Sequence, residues 1–113
     1  MNDQSIEKEI QEKGLTAPRI TSTDIEANIR EEHFFTGADA VYADDCAVGT
    51  SPMHLLTFCV LVLKNGFTVT GESACVSPEN FDAELERKIA RQNAVNKLRP
   101  LMGYELKQRL SNN

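Results

Sequence analysis

Seven basic side chains fall between residues 87 and 113, against a single acid, Glu105. Arg87 and Arg91 are four residues apart, a spacing that stacks them one turn above the other on one helical face. Lys88 adjoins them, and Lys97, Arg99, Lys107 and Arg109 continue the basic character. Guanidinium groups at that spacing suit an anion, because each planar fork meets two carboxylate or phosphate oxygens at once. Asn80, Asn93 and Asn96 add neutral donors, while Phe81 and Tyr104 offer rings on which a base can stack. The same residues also describe a solvated basic face balanced by Glu84 and Glu86, with Phe81 opening a core stripe.

Catalytic chemistry has less to work with. A nucleophilic cysteine needs a base within hydrogen-bond reach, and the histidines are His33 and His54, which strand pairing could bring near Cys59 or Cys75. Cys59 lies inside LLTFCVLVL, where a thiol is expected to be core. Cys75 precedes an expected helix start, whose N-terminus would activate it, although a structural role is the simpler reading. Two histidines lack a third ligand at zinc spacing, and the adjacent Asp44 and Asp45 point apart, as in a solvated loop. No phosphate-binding loop or dinucleotide fingerprint is present. No metal, cofactor or catalytic residue is therefore expected.

Composition narrows the partners. The chain has 113 residues, enough for one small domain, and a net charge of −5. Residues 1 to 50 hold eleven acids against four bases, so the negative charge is concentrated away from the cationic C-terminal part. A net acidic chain disfavours tight duplex DNA binding, which depends on many phosphate contacts. Three cysteines without CxxC spacing suggest free thiols in a reducing compartment. The absence of a basic start with an apolar run, or of about 20 successive apolar residues, leads us to expect neither export nor a membrane partner.

The elements that would position these residues follow from local pattern. Residues 1–17 read as a polar tail or short helix, with disorder favoured, and 18–113 as a single domain. Thr21, Ser22 or Thr23 can cap a short helix bearing Ile25 and Ile29, and residues 31–36 suit a strand. Residues 37–52 read as a loop or extended hairpin tip. Two β-rich runs, 53–63 and 67–76, flank Lys64-Asn65-Gly66, a hairpin in which Asn-Gly supplies positive φ angles. The first run is apolar on both faces and should be the central strand. Ser77-Pro78-Glu79-Asn80 looks like a helix start, with Ser77 as cap. Phe81, Leu85, Ile89, Ala94, Leu98 and Leu101 then form the apolar stripe until Pro100 kinks or ends the helix, and a second short helix runs through Leu106 and Leu110. The fold class is α+β, an antiparallel sheet of about three strands covered by C-terminal helices.

Residues 63–110, LKNGFTVTGESACVSPENFDAELERKIARQNAVNKLRPLMGYELKQRL, resemble a family of small phage proteins. The shared features are an NGF hairpin, GES-C, a P-NFD helix start, a K-A---A--K helix and an L-GY-L ending. The family includes the first-described Thoeris anti-defence proteins, which sequester the cyclic ADP-ribose signal of bacterial TIR enzymes. The resemblance implies a non-cleaving sponge for glycocyclic ADP-ribose, and for some relatives cyclic oligonucleotides at a separate site, acting in the cytoplasm of an infected bacterium. It implies a homo-oligomer, dimer or hexamer, with the pocket between protomers at the strand-helix junction and the C-terminal helix. By position, the family's aromatic and polar contacts fall near Phe81 and Arg91, with Arg109 on phosphate. Residues 38–53 depart from the resemblance in being longer. Together with the residue-level reading, the candidate ligand contacts are Ser73, Asn80, Phe81, Arg87, Arg91, Tyr104 and Arg109. The rival reading is a nucleic-acid or host-protein interaction module using the same basic face.

Overall fold

A computed structural model describes residues 3–42 and 51–112. Its frame is a three-stranded antiparallel sheet, in the order β1 (Ile29–Thr36), β2 (Leu56–Leu63), β3 (Thr68–Ala74). One long helix lies across it, and the class is the expected α+β. The apolar run is the central strand, and its alternation puts Thr57, Cys59, Leu61 and Leu63 on the helix-facing side. Residues 53–55 belong instead to a 3-10 turn, Pro52–Leu55, because the Ser51 side chain accepts a hydrogen bond from Met53 N and Pro52 sets the first turn. At the hairpin only Gly66 takes a positive φ, +89°. The Asn65 side chain instead accepts from the Phe67 amide, so Asn65 contributes a hydrogen bond rather than a left-handed backbone.

The N-terminal segment is a helix, α1 (Asp3–Glu12), rather than a loose tail. It is tied down by Arg19, whose two terminal nitrogens donate to the two Glu7 carboxylate oxygens at 2.8 and 2.7 Å. Thr21 is the cap of α2 (Ser22–Ala27), closing a reciprocal box with Asp24. This helix ends before Ile29, which starts β1, so only Ile25 is its buried anchor. Within the stretch expected to be loop, a five-residue helix, α3 (Gly37–Val41), follows β1 through a second capping box between Thr36 and Asp39. Asp44 and Asp45 lie outside the described residues.

The C-terminal helix, α4, runs from Ala83 to Ser111 and corrects three expectations. Ser77 does not cap it: the Ser77 hydroxyl turns to the Glu79 carboxylate, Pro78–Asn80 forms an isolated 3-10 turn, and Phe81 is extended. Asp82 is the cap instead, accepting from the Leu85 amide at 3.1 Å. Pro100 neither ends the helix nor divides it in two. Asn96, whose carbonyl loses its donor to the proline ring, is exposed along with Pro100, so water can satisfy it.

The buried face keeps the expected Ala94 and Leu98, but ahead of them it is displaced by one position, from Leu85 and Ile89 to Glu86 and Ala90. Glu86, Ala90, Ala94, Val95 and Leu98 face the sheet, whereas Leu85, Ile89 and Leu101 are exposed. Gly71 explains the displacement. A Cβ there would lie 2.2 Å from the Ala90 carbonyl oxygen and 2.3 Å from the Ala94 nitrogen, so the helix backbone rests directly on β3. Such an approach requires small residues at the contact, which leaves the bulky ones elsewhere. Around it, Ile25, Cys59, Leu61, Leu63, Val69 and Leu98 complete the core.

Candidate functional site

The end of the sheet nearest the start of α4 carries a row of hydroxyls. Register places Thr36 beside Thr57 and Thr57 beside Ser73 across the three strands. Thr36 accepts from the Asp39 amide at 3.1 Å, as part of the α3 cap. Ser73 donates to Oε1 of Glu86 at 2.5 Å, satisfying one oxygen of a carboxylate that the helix carries into the interior. The Thr57 hydroxyl, between them, is buried and has no hydrogen-bond partner among the described residues.

Over this row opens a cavity of about 80 Å³. Phe34 and Phe81 supply apolar wall, Thr57 and Asp39 polar wall, and Arg87 cationic wall. Each is placed by a different part of the fold. Phe34 comes from the alternation of β1, Asp39 from the short helix after it, and Phe81 from the extended residue that separates the 3-10 turn from α4. Arg87 follows four residues into that helix from Ala83, which also lines the cavity. Its guanidinium makes no hydrogen bond or ion pair among the described residues. Arg87 is therefore a donor group held at a concave, aromatic-walled place without an internal acceptor.

Arg91, one turn further on, is in the opposite condition. Its Nη1 and Nη2 donate to Glu26 of α2 at 3.0 and 2.8 Å, and its Nε donates to Glu32 of β1 at 2.8 Å. These bonds hold the Glu26 carboxyl below the usual carboxylate range and raise Arg91 further above an already basic value. The residue ties helix, sheet and α2 together.

The other candidates are dispersed. Asn80 is exposed on the 3-10 turn beside Phe81, and Ser73 is engaged by Glu86. Tyr104 is 75% exposed. Arg109 pairs with Glu105 one turn back at 2.6 Å and lines a separate groove of about 450 Å³ with Lys64 and Met102. From Arg87 to Arg109 the helix rises by roughly 33 Å. The structure thus brings Phe81, Arg87 and Asn80 to one end of a single chain and places Arg109 and Tyr104 at the other.

Neither cysteine in the described residues meets a base. His33 pairs with Val60, so it points to the opposite sheet face from Cys59, and burial pushes the Cys59 thiol up to about 11. Cys75 donates to the Ser77 carbonyl at 3.2 Å and is eight residues ahead of α4, too far for the helix end to activate it as the sequence suggested. Among the described residues no three His, Cys, Asp or Glu side chains converge as metal ligands.

Sequence reasoning missed Phe34, Asp39 and Thr57 as neighbours of Phe81. Thr57 left a signal, since it is the lone polar residue in LLTFCVLVL, and such a residue on a buried face needs an explanation. A sequence model of the phage protein (N4 Gp49/phage Sf6 gene 66) family matches residues 20–110. No curated protein and no solved structure matches the chain.

Proposed function

The chain belongs to this family of phage proteins, and from that premise we propose that it binds a cyclic nucleotide immune signal of the bacterial host and withholds it without cleaving it. The observation that carries the reading is the pairing of an aromatic ring, Phe81, with an unengaged guanidinium, Arg87, around one cavity. A nucleotide combines a ring face and an anionic group, and stacking plus a charge-assisted hydrogen bond serve both. Glycocyclic ADP-ribose is the ligand of choice on the sequence resemblance, with cyclic oligonucleotides second. Such a sponge works in the cytoplasm of the infected cell and needs no cofactor.

Size supports an assembly. Drug-sized ligands occupy pockets of roughly 300 Å³ or more, whereas this cavity measures about 80 Å³. Arg109 is too far along α4 to reach it within one chain. A two-fold partner with its helix reversed would bring Arg109 to the mouth of the Phe81 cavity and enclose the rest of the ligand. The proposed unit is a dimer, alone or within a hexamer.

Calorimetric titration with glycocyclic ADP-ribose and cyclic dinucleotides, followed by heat release and chromatography of the ligand, tests the reading. Recovery of intact ligand is expected. Failure to bind any of them would overturn it, and recovery of an altered product would make the protein an enzyme. Light scattering should show at least a dimer. Salt separates the rival interaction module: several displaced counterions would make nucleic-acid binding fall steeply between low and moderate salt, while a single small ligand loses less.

A further inference from the structure

Of the three hydroxyls in the row across the sheet, the outer two are committed and the middle one is not. Thr36 serves the α3 cap and Ser73 donates a hydrogen bond to Glu86, while Thr57, 3% exposed, lines the cavity with its oxygen unpartnered among the described residues. Buried polar atoms are nearly always satisfied, so an orphan hydroxyl on a residue that lines an open cavity points to a group that arrives from outside. We infer that the Thr57 hydroxyl is a ligand-selecting contact, taking a neutral hydroxyl or amino group of a nucleoside at the floor of the Phe34–Phe81 cavity while phosphate stays at the rim on Arg87. The inference rests on the nucleotide-binding reading for the identity of the ligand.

Charge and volume decide between a phosphate and a neutral group at the floor. Asp39 lines the same cavity, and its Oδ2 is already accepting from the Thr36 amide at 2.8 Å. Glu86 lies behind Ser73, the next residue in the row. Asp39 in the lining, with Glu86 behind Ser73, disfavours an anion beside Thr57 and favours a neutral donor there. Arg87 provides the cationic wall of the cavity. The space of about 80 Å³ is that of roughly three water molecules in the liquid. It accepts the edge of a sugar or base, which carries hydroxyl and amino groups, and leaves the charged part outside. A hydroxyl can both donate and accept, so Thr57 fits either.

The test uses two probes on the full chain: glycocyclic ADP-ribose, and adenosine, which has the sugar and base without phosphate. Thr57→Val removes the hydroxyl at nearly constant shape, and Thr57→Ser restores it. Thr57→Val should weaken both probes about tenfold, Thr57→Ser should bind close to the parent, and the unliganded Thr57→Val protein should melt no lower than the parent, because its hydroxyl has no partner to lose. Arg87→Ala should weaken glycocyclic ADP-ribose and spare adenosine. Equal binding of both probes by Thr57→Val and the parent would overturn the inference and assign the hydroxyl to a bound water. Adenosine binding that depends on Thr57, without binding of any cyclic nucleotide, would uphold this contact and overturn the sponge. Binding of neither probe to the parent would overturn both.

Discussion

The two ends of α4 carry similar side chains and sit in different surroundings. At the first end, Ala90 and Ala94 press the backbone onto Gly71, Arg91 clamps two neighbouring elements, and Arg87 faces a built cavity. At the far end, Leu101, Tyr104 and Leu110 are exposed, and Arg109 is paired with a residue of its own helix. Basic residues are abundant at both ends, but only the first end has sheet, turn and aromatic rings arranged around one of them. The cationic character visible in the chain is thus a poor guide to the site, and the helix-sheet contact is a better one.

The largest expected effect comes from breaking that contact. Gly71→Val would drive side-chain atoms into the backbone of α4 where not even a Cβ fits, and should cost about 4 kcal/mol of stability in urea unfolding. Leu98 and Leu101, three residues apart, mark where the packed stretch of α4 gives way to the exposed one, being 0% and 46% exposed. Leu98→Ala should lose about 3 kcal/mol, and Leu101→Ala less than about 1 kcal/mol, by the same measurement. Equal losses would show that the helix beyond Leu98 is packed as tightly as the stretch on the sheet.

Arg87 and Arg91 sharpen the comparison within one turn. Arg91→Ala breaks a three-part ion network and should destabilise the chain by roughly 1 kcal/mol, whereas Arg87→Ala, with no internal partner to lose, should stay within about 0.5 kcal/mol. Smaller still is the attachment of α1. Arg19 depresses the Glu7 carboxyl from 4.5 to about 2. Because the folded value lies below the unfolded one, this contribution is complete above about pH 4.5 and fades as pH falls toward 2. Amide-exchange protection of residues 3–12, relative to the intrinsic rate at each pH, should fall across that window before the sheet is affected, and Arg19→Ala should bring the loss of protection to neutral pH.

How far the sequence led can be read from individual residues. The central strand, the hairpin and the start of α2 were visible because a run apolar on both faces, Asn65-Gly66 and the capping residues at 21–23 act over a few positions, although the choice of Thr21 among the three caps needed the structure. The start and inward face of α4 were not. Ser77 has the right chemistry for a cap but its hydroxyl has a nearer acceptor in Glu79, and the inward face is marked by small residues fitted to a glycine two elements away. Pro100 has a strong local meaning that exposure overrides. Phe81 and Arg87, which line the candidate cavity, could be named from ring and charge. Arg91 and Arg87 could not be told apart, because what distinguishes them is Glu26 and Glu32, more than fifty residues earlier.

The central claim is that the unengaged arginine beside Phe81, and not the cationic helix as a whole, meets the nucleotide. Calorimetric titration of Arg87→Ala with glycocyclic ADP-ribose, beside the parent, tests it most directly. The account predicts affinity lower by at least about tenfold, the loss of one charge-assisted hydrogen bond, with the melting temperature and assembly mass unchanged. Undiminished affinity in the Arg87→Ala protein would contradict it.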